Sequence, residues 1–219
     1  MSSAEIKNVS PEGLTGATLL AYNALELVKQ VAEAARHDQL TGMLTKEAWK
    51  AEIQDRLESD APFAVIFMDM DAFKKVNDTY HHERGDSILE QFGRHMRKHF
   101  RRAGDSLAHE KLFQGQDGST DNASMGRYGG DEFGIVVDLS GGEHRSDDPE
   151  ENLANSMEHL RSVIDSFVAA QPEEIRALGF DMSVGYAVRG TGENVSVSQI
   201  VQRADAAMYT DKQARQAAR

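Results

Sequence analysis

The chain has 219 residues, of which 40% are hydrophobic and 27% are charged, so it can bury the core of one large domain, with or without an extension. The formal net charge of −12 argues against a surface for duplex nucleic acid or for an anionic membrane, but not against one small phosphorylated ligand. The absence of cysteine excludes disulfides and thiolate metal sites.

The chain lacks the sequence signals that direct proteins into or through a membrane. No apolar run reaches the ~18 residues that span a bilayer. Residues 1–10 do not combine a basic region with an apolar one, so no signal peptide is expected. Together with the absence of cysteine, these features predict a cytoplasmic protein that binds neither nucleic acid nor a membrane.

Residues 1–37 are predicted to be an extension that contains one helix. Residues 18–36 are rich in helix formers, and Leu20, Leu27 and Val31 recur at steps of seven and four. This spacing predicts an amphipathic helix with an apolar stripe of fewer than three heptads. We expect the helix to pair with a second copy, or to dock to an upstream sensor or partner protein, and to transmit a signal.

The rest of the chain, residues 38–219, alternates helical and strand patterns. Helices are predicted at 46–59, 85–102, 151–169 and from about 196 onward, and strands at 63–69, 133–139 and 180–188. Residues 103–123 are rich in Gly, Asp and Ser and show no steady period, so they are predicted to be a long inserted loop. This order of elements predicts an α/β (α+β) fold, with helices packed against a mixed sheet.

The stretch MGRYGGDEFGIVV, residues 125–137, is predicted to be a β-hairpin. Gly129 and Gly130 stand between two short strands, as in tight turns that need positive φ. Asp131 and Glu132 follow the turn and point to opposite faces of their strand. Taken alone, the pair fits solvated turn residues as well as it fits a site where glycine lets a ligand approach the backbone.

The acidic strand end in FMDMDAFKKVND, residues 67–78, favours a metal site. The apolar strand ends in Asp69 and Asp71, and buried strands seldom end in two acids unless a cation is near. Carboxylates followed by a helix N-terminus are typical of Mg²⁺ held against nucleotide phosphates. The alternative is that Asp71 only caps the helix that follows.

Five ordered segments resemble the GGDEF family of diguanylate cyclases: DQLTGM, MDMDAFKKVNDTYHHERGD, RYGGDEF, SVGYA and ADAAMYTDK, from about Asp38 to Gln216. The resemblance implies a central, mostly antiparallel five-stranded sheet with surrounding helices, related to the palm of adenylyl cyclases and some polymerases. It implies a nucleotidyltransferase that joins two GTP into cyclic di-GMP and releases pyrophosphate. It also implies Mg²⁺ or Mn²⁺, two ions per active half-site, and a homodimer in which two GTP molecules face each other.

The resemblance also implies roles for individual residues. Asp69, Asp131 and Glu132 match the catalytic and metal-binding acids, and the Met70 carbonyl matches a further metal ligand. The implied nucleotide contacts are Asn77 and Asp86 to the guanine edge, the amides of Phe73 and Lys74 and the side chain of Lys212 to the phosphates, and Gly129 and Gly130, which leave room for the nucleotide.

Three departures from the family pattern bear on activity. His81 stands near the base-binding loop, where the family usually has glycine. The usual arginine four residues after the late lysine is Gln216, so Arg215, one position earlier, is expected to contact phosphate instead. The Arg-x-x-Asp motif that binds inhibitory product in many members is missing, because Thr120 and Ala123 occupy its charged positions.

Two functions remain open from the sequence. The first is an active diguanylate cyclase that lacks the product-inhibition site. The second is a degenerate domain that binds GTP or cyclic di-GMP and regulates other proteins, which His81, Gln216 and the 103–123 insertion motivate. A change of nucleotide is disfavoured, because Asp86 matches an acceptor for the N1 and N2 donors of guanine.

Overall fold

The sheet is built around the most apolar run in the chain. The structure, a computed structural model, describes residues 16–100, 123–140 and 146–217. Strand β1 (Phe63–Asp71) is buried along its whole length, as expected for a strand that helices cover on both faces. It pairs with β3 (Glu132–Asp138) and β4 (Asp181–Arg189), and β2 (Ala123–Gly129) lies outside β3. The order is β2-β3-β1-β4, and every pair is antiparallel.

Residues Met1–His37 form a unit separate from Asp38–Arg219. Its described part is α1 (Gly16–Ala35), which accounts for the helix predicted at 18–36. The apolar side chains of this helix are exposed, with 72% of Leu20 and 61% of Leu27 accessible to solvent. No helix in the described ranges is both long enough and apolar enough to cross a bilayer.

Alternation along β1 divides the core of the second unit into two layers. The helices are α2 (Lys46–Leu57), α3 (Phe73–His99), α4 (Pro149–Ala169), α5 (Glu173–Arg176) and α6 (Val197–Ala217). Ile66 and Met68 pack in one apolar cluster with residues of α3 and α4. Val65 and Phe67 pack in the other with residues of α2 and α6. The side chains that continue the Phe67 row at the end of β1 therefore face α6.

The predicted mixed fold is confirmed, except for the number of strands. The described residues contain four strands instead of five. Leu44 adds a single parallel bridge to Gly126: its N–H donates to the Met125 carbonyl at 3.0 Å, and its own carbonyl accepts from the Arg127 N–H at 2.9 Å. The next residue, Thr45, caps α2, so the chain turns into a helix before this bridge can lengthen into a strand.

The predicted loop at 103–123 lies outside the described residues except for Ala123, which begins β2. The hairpin prediction is confirmed, because β2 and β3 pair antiparallel around the two glycines. Its turn reaches the end of β1, where Asp69 and Asp71 lie.

Helix α3 is interrupted at His81, whose φ of 65° and ψ of 168° are not helical. This region of backbone space belongs almost only to glycine, and holding another residue there costs on the order of 1–3 kcal/mol. The interruption separates Asn77 from Asp86, the predicted guanine contacts. His81 therefore holds a backbone conformation that glycine would adopt without strain.

We expect the substitution His81→Gly to raise the free energy of unfolding by about 1 kcal/mol, because relief of the strain outweighs the extra entropy of glycine in the unfolded chain. Urea denaturation of the intact chain measures this change. The matched control is His82→Gly, at a neighbouring residue that lacks a positive φ. Glycine there should lower stability by about 1 kcal/mol. Equal losses in both variants would show that His81 is not strained.

Histidines line the seam between α3 and α4. The His95 Nε2–H donates to the Val163 carbonyl, with Nε2 at 3.0 Å from that oxygen and 3.1 Å from Ser166 Oγ. The His95 and His99 rings lie 4.7 Å apart. The His95 ring therefore packs against α4. Burial, with the neighbouring charges of His95, Lys98 and His159, lowers the pKa of His99.

We expect stability to fall as the pH is lowered through the ordinary histidine pKa of about 6.5, because the unfolded chain then binds a proton that folded His99 resists. The loss should level off below the lowered pKa of the folded state. Urea midpoints between pH 8 and pH 5.5 measure the slope. His99→Gln should flatten it relative to the unchanged chain, and an unchanged slope would remove His99 as its source.

Candidate active site

Strand register brings the acid at the end of β1 beside an acid of the hairpin. Asp69 pairs directly with Glu132 of β3 and with Ser183 of β4. Directly paired residues of antiparallel strands project from the same face of a sheet. Asp69 and Glu132 therefore share the face that Phe67 presents to α6. Asp69 is only 8% exposed, so its charge sits largely out of water.

Asp71, two residues further along β1, is held by the sheet and does not cap α3. It is 3% exposed, and its Oδ1 accepts a hydrogen bond from Ser183 Oγ at 2.8 Å. The N-cap of α3 is Ala72, which has a left-handed backbone and makes no side-chain cap. The alternative that Asp71 merely caps the helix is therefore wrong.

The hairpin turn is fixed by a clamp that the sequence analysis did not identify. Nε and Nη2 of Arg127 donate to the Gly130 carbonyl at 3.0 and 2.8 Å. Nη1 of the same guanidinium pairs with Asp38 at 3.2 Å, and Asp38 also accepts from the amide and hydroxyl of Thr41. The only sequence signal was the joint presence of the DQLTG and RYGGDEF segments. The clamp holds the turn at the end of the sheet.

The backbone of the turn is also bonded to β1. The Met70 N–H donates to the carbonyl of Asp131 at 3.2 Å, one residue beyond the Asp69 and Glu132 pair. Asp131 is thereby positioned beside the acidic end of the central strand.

Lys212 reaches this corner from α6. Its Nζ donates to Asp69 Oδ1 in an ion pair whose side chains are 26% and 12% exposed. The helix approaches the sheet closely, because a Cβ on Gly185 of β4 would lie 1.9 Å from the backbone nitrogen of Met208. Lys212 follows Met208 by about one turn, so this approach brings the ammonium group within reach of β1.

The site is rich in negative charge. Burial, followed by the charge of Asp69, raises the pKa of Asp131. Burial, and then the charges of Asp69, Asp131 and Asp205, raise the pKa of Glu132. Asp205 lies on α6 and was not singled out in the sequence analysis. These carboxylates repel one another, and a bound cation would relieve the repulsion.

The donor set fits a divalent ion that binds together with a nucleotide. Within residues 16–100, 123–140 and 146–217, no three acidic or imidazole side chains form a closed metal site of their own. Mg²⁺ rarely uses such cages and is usually held by one or two carboxylates, waters and substrate phosphates. Asp69, Asp131, Glu132 and the Met70 carbonyl supply oxygen ligands of that kind, so the predicted set remains chemically suitable.

The predicted guanine contacts lie on the two halves of α3. Asn77 Oδ1 is buried and has no hydrogen-bond partner among the described residues. It lies against Gly85, where an added Cβ would be 2.0 Å away. Asp86, the next residue, is exposed. A buried amide oxygen beside an open carboxylate leaves polar groups available for a base edge.

Two of the predicted phosphate contacts are open, and the other two, Lys212 and Arg215, are engaged in ion pairs. The Phe73 side chain packs in the core and that of Lys74 is exposed, while their amides belong to the first turn of α3, which lacks helical acceptors. Arg215 instead pairs with Asp181 at 2.9 Å and Asp211 at 3.0 Å. Its charge is therefore largely balanced within the fold.

A cavity of about 340 Å³ adjoins the acidic corner on the α2 and α6 side. Glu132 and Asp205 line it together with Lys50, Phe67 and Tyr128. The predicted guanine contacts do not line this cavity, so it is distinct from the base position that the resemblance implies.

Comparison with known proteins places the chain in one family. A family model described as "Diguanylate cyclase, GGDEF domain" matches residues 35–110 and 116–218. The chain is 29% identical over 199 residues to the bifunctional diguanylate cyclase/cyclic di-GMP phosphodiesterase MucR of Pseudomonas aeruginosa, an alignment that covers 89% of this chain and 24% of MucR. The chain spans about a quarter to a third of the length of the curated relatives that it matches.

Solved structures agree with this placement. The coiled coil and GGDEF domain of DgcB from Caulobacter crescentus, in complex with c-di-GMP, matches with a TM-score of 0.66 at 21% identity, over 90% of this chain and 91% of that one. Diguanylate cyclase SiaD from Pseudomonas aeruginosa, in complex with its activator SiaC, matches with a TM-score of 0.61 at 23% identity, over 89% and 65%. These two likenesses concern the fold. The match of the family model over most of the chain shows that the protein belongs to the GGDEF family.

Proposed function

We propose that the chain is an active diguanylate cyclase, which condenses two GTP molecules into cyclic di-GMP and pyrophosphate. The observation that carries the proposal is the convergence of Asp69, Asp131 and Glu132 at one corner of the sheet. Lys212 and the uncapped N-terminus of α3 adjoin the same end of β1. Acids, a lysine and free amides together suit a nucleoside triphosphate with its metal.

The nucleotide would lie across the sheet end. Asn77 and Asp86 would bind the guanine edge, since Asp86 can accept from the N1 and N2 donors of the base. The amides of Phe73 and Lys74 and the ammonium group of Lys212 would contact the phosphates. Added Cβ atoms on Gly129 and Gly130 would meet nothing within 4 Å, so the space over the turn is open for a ligand.

Asp69, Asp131, Glu132 and the Met70 carbonyl would hold Mg²⁺ or Mn²⁺, and the bound ion supplies positive charge at the phosphates. Asp131 would also accept the proton of the attacking 3′-hydroxyl. In-line attack on the α-phosphate then depends on alignment of the two nucleotides.

The reaction needs two domains, because each would bind one GTP and supply the hydroxyl that attacks the other. The exposed apolar side chains of α1, Leu20 and Leu27 among them, suit contact with a second copy. The DgcB structure carries a coiled coil and SiaD is bound to an activator, so residues 18–36 would act in pairing, in docking to an upstream partner, or in both.

The second candidate function is a degenerate domain that binds GTP or cyclic di-GMP and regulates a partner. The strained backbone of His81, near the predicted base-binding loop, and the engaged charge of Arg215, a predicted phosphate contact, favour it. Incubation with GTP and Mg²⁺ separates the two candidates. Formation of a cyclic dinucleotide supports the cyclase, and its absence at high protein concentration supports the regulatory domain.

We expect Asp131→Asn to lower the rate of cyclic di-GMP formation by at least about 100-fold, because it removes a metal ligand and the proposed base. Product is quantified by mass spectrometry after incubation with GTP and Mg²⁺. The fold should remain intact, with an unchanged or higher melting temperature, because one of the repelling charges is gone. Asp165→Asn, on the exposed face of α4, is the matched control and should keep full activity. Retained activity in Asp131→Asn would contradict the assignment.

We expect added cyclic di-GMP to cause no inhibition beyond competition with GTP, because Thr120 and Ala123 stand where the inhibitory motif would have its arginine and aspartate. Initial rates measured across a range of GTP and cyclic di-GMP concentrations test this. Inhibition that saturating GTP fails to relieve would contradict the prediction.

A further inference from the structure

The ammonium group of Lys212 lies at Asp69, one of the proposed metal ligands, where a metal cation would otherwise bind. Its ammonium group donates to Asp69 Oδ1, and both side chains are mostly removed from solvent.

This contact conflicts with the other task of Lys212. A lysine carries a single positive charge on a flexible stem, so the charge that neutralises Asp69 is no longer held there alone once its N–H donors turn toward a nucleotide phosphate. Among the described residues, the nearby Arg215 is not free to replace Lys212 as the cation at Asp69, because it is paired with Asp181 and Asp211. Lys212 has to leave Asp69 before that carboxylate can ligate a metal ion with both of its oxygens.

We propose that Lys212 is a tethered substitute for the metal ion: it neutralises Asp69 in the empty site and moves to the phosphates when nucleotide and metal bind. This regulation of the site rests on the proposed function. It makes metal affinity low without nucleotide and higher with it, because the phosphate provides the alternative partner that Lys212 needs.

Lys212 also stabilises the empty site. Without Lys212, the charges of Asp69, Asp131 and Glu132 would still repel one another, and the remaining cations act on Asp131, through Arg127, and on Glu132, through Lys46. An uncompensated charge in a half-buried site is costly, whereas exchange of one cation for another keeps the charge balanced. In this proposal, Asp69 faces Lys212 in the empty site and the metal ion in the loaded site.

The test measures metal binding by the protein directly and does not depend on turnover. Mn²⁺ is titrated into the unchanged chain and into Lys212→Met, and free Mn²⁺ is followed by electron paramagnetic resonance. The titrations are done without nucleotide and with a GTP analogue whose α,β-bridging oxygen is replaced by methylene. We expect Lys212→Met to bind Mn²⁺ without nucleotide on the order of tenfold more tightly than the unchanged chain. The analogue should improve Mn²⁺ affinity more in the unchanged chain than in the variant.

Two controls keep the outcome interpretable. Lys75→Met removes an exposed lysine of α3 and should leave Mn²⁺ affinity unchanged. Lys212→Gln, a polar neutral variant, should repeat the result of Lys212→Met, and melting temperatures with and without Mn²⁺ show that each variant is folded. If Lys212→Met should not fold, Lys212→Gln carries the comparison.

The two proposals fail in different ways. Equal or weaker Mn²⁺ binding by the Lys212 variants, with normal binding by the unchanged chain and analogue, would overturn the exchange and leave the cyclase proposal standing. Failure of the unchanged chain to bind Mn²⁺ even with the analogue would overturn both.

Discussion

The antiparallel register between β1 and β3 is the constraint on which the candidate site depends. It sets Asp69 opposite Glu132 and lets the Met70 amide bond the carbonyl of Asp131. A shift of one residue would turn Asp69 toward α3 and α4 and would break the acidic corner apart. The apolar rows of β1 prevent such a shift, because it would also exchange the two layers of the core. Packing energy far from the chemistry therefore maintains the relative positions of the acids.

The acidic corner is a local cost that the rest of the domain offsets. Carboxylates that raise one another's pKa destabilise the empty fold, and Lys212 is the main compensating group that the described residues place at Asp69. Arg127 adds to this compensation, because its charge opposes the rise in the pKa of Asp131 while its guanidinium holds the Gly130 carbonyl. Functional sites commonly carry strain and repulsion of this kind. Here, the repulsion surrounds the ligands that a cation would use.

Sequence reasoning recovered the parts of the structure that repeat locally. The apolar run of β1, the two glycines of the hairpin and the family landmarks predicted the strands, and the model of the family confirms the landmarks. It did not identify contacts between distant segments. The Asp38 and Arg127 pair joins residues 89 apart, and nothing local in either segment specifies the other. Helical spacing along α3 likewise does not show that α4 packs against His95. The assigned roles of the site residues stay predictions.

The glycines of the site carry two different kinds of constraint. Gly185 is required by the chain itself, because a side chain there would collide with the backbone of α6. Gly129 has an ordinary φ and empty space where its side chain would be, so folding places no demand on it. Selection that acts only on a stable fold would therefore let position 129 drift while it holds position 185. A population of functional variants that keeps glycine at both positions would point to a ligand over the turn, a constraint that the fold alone does not impose.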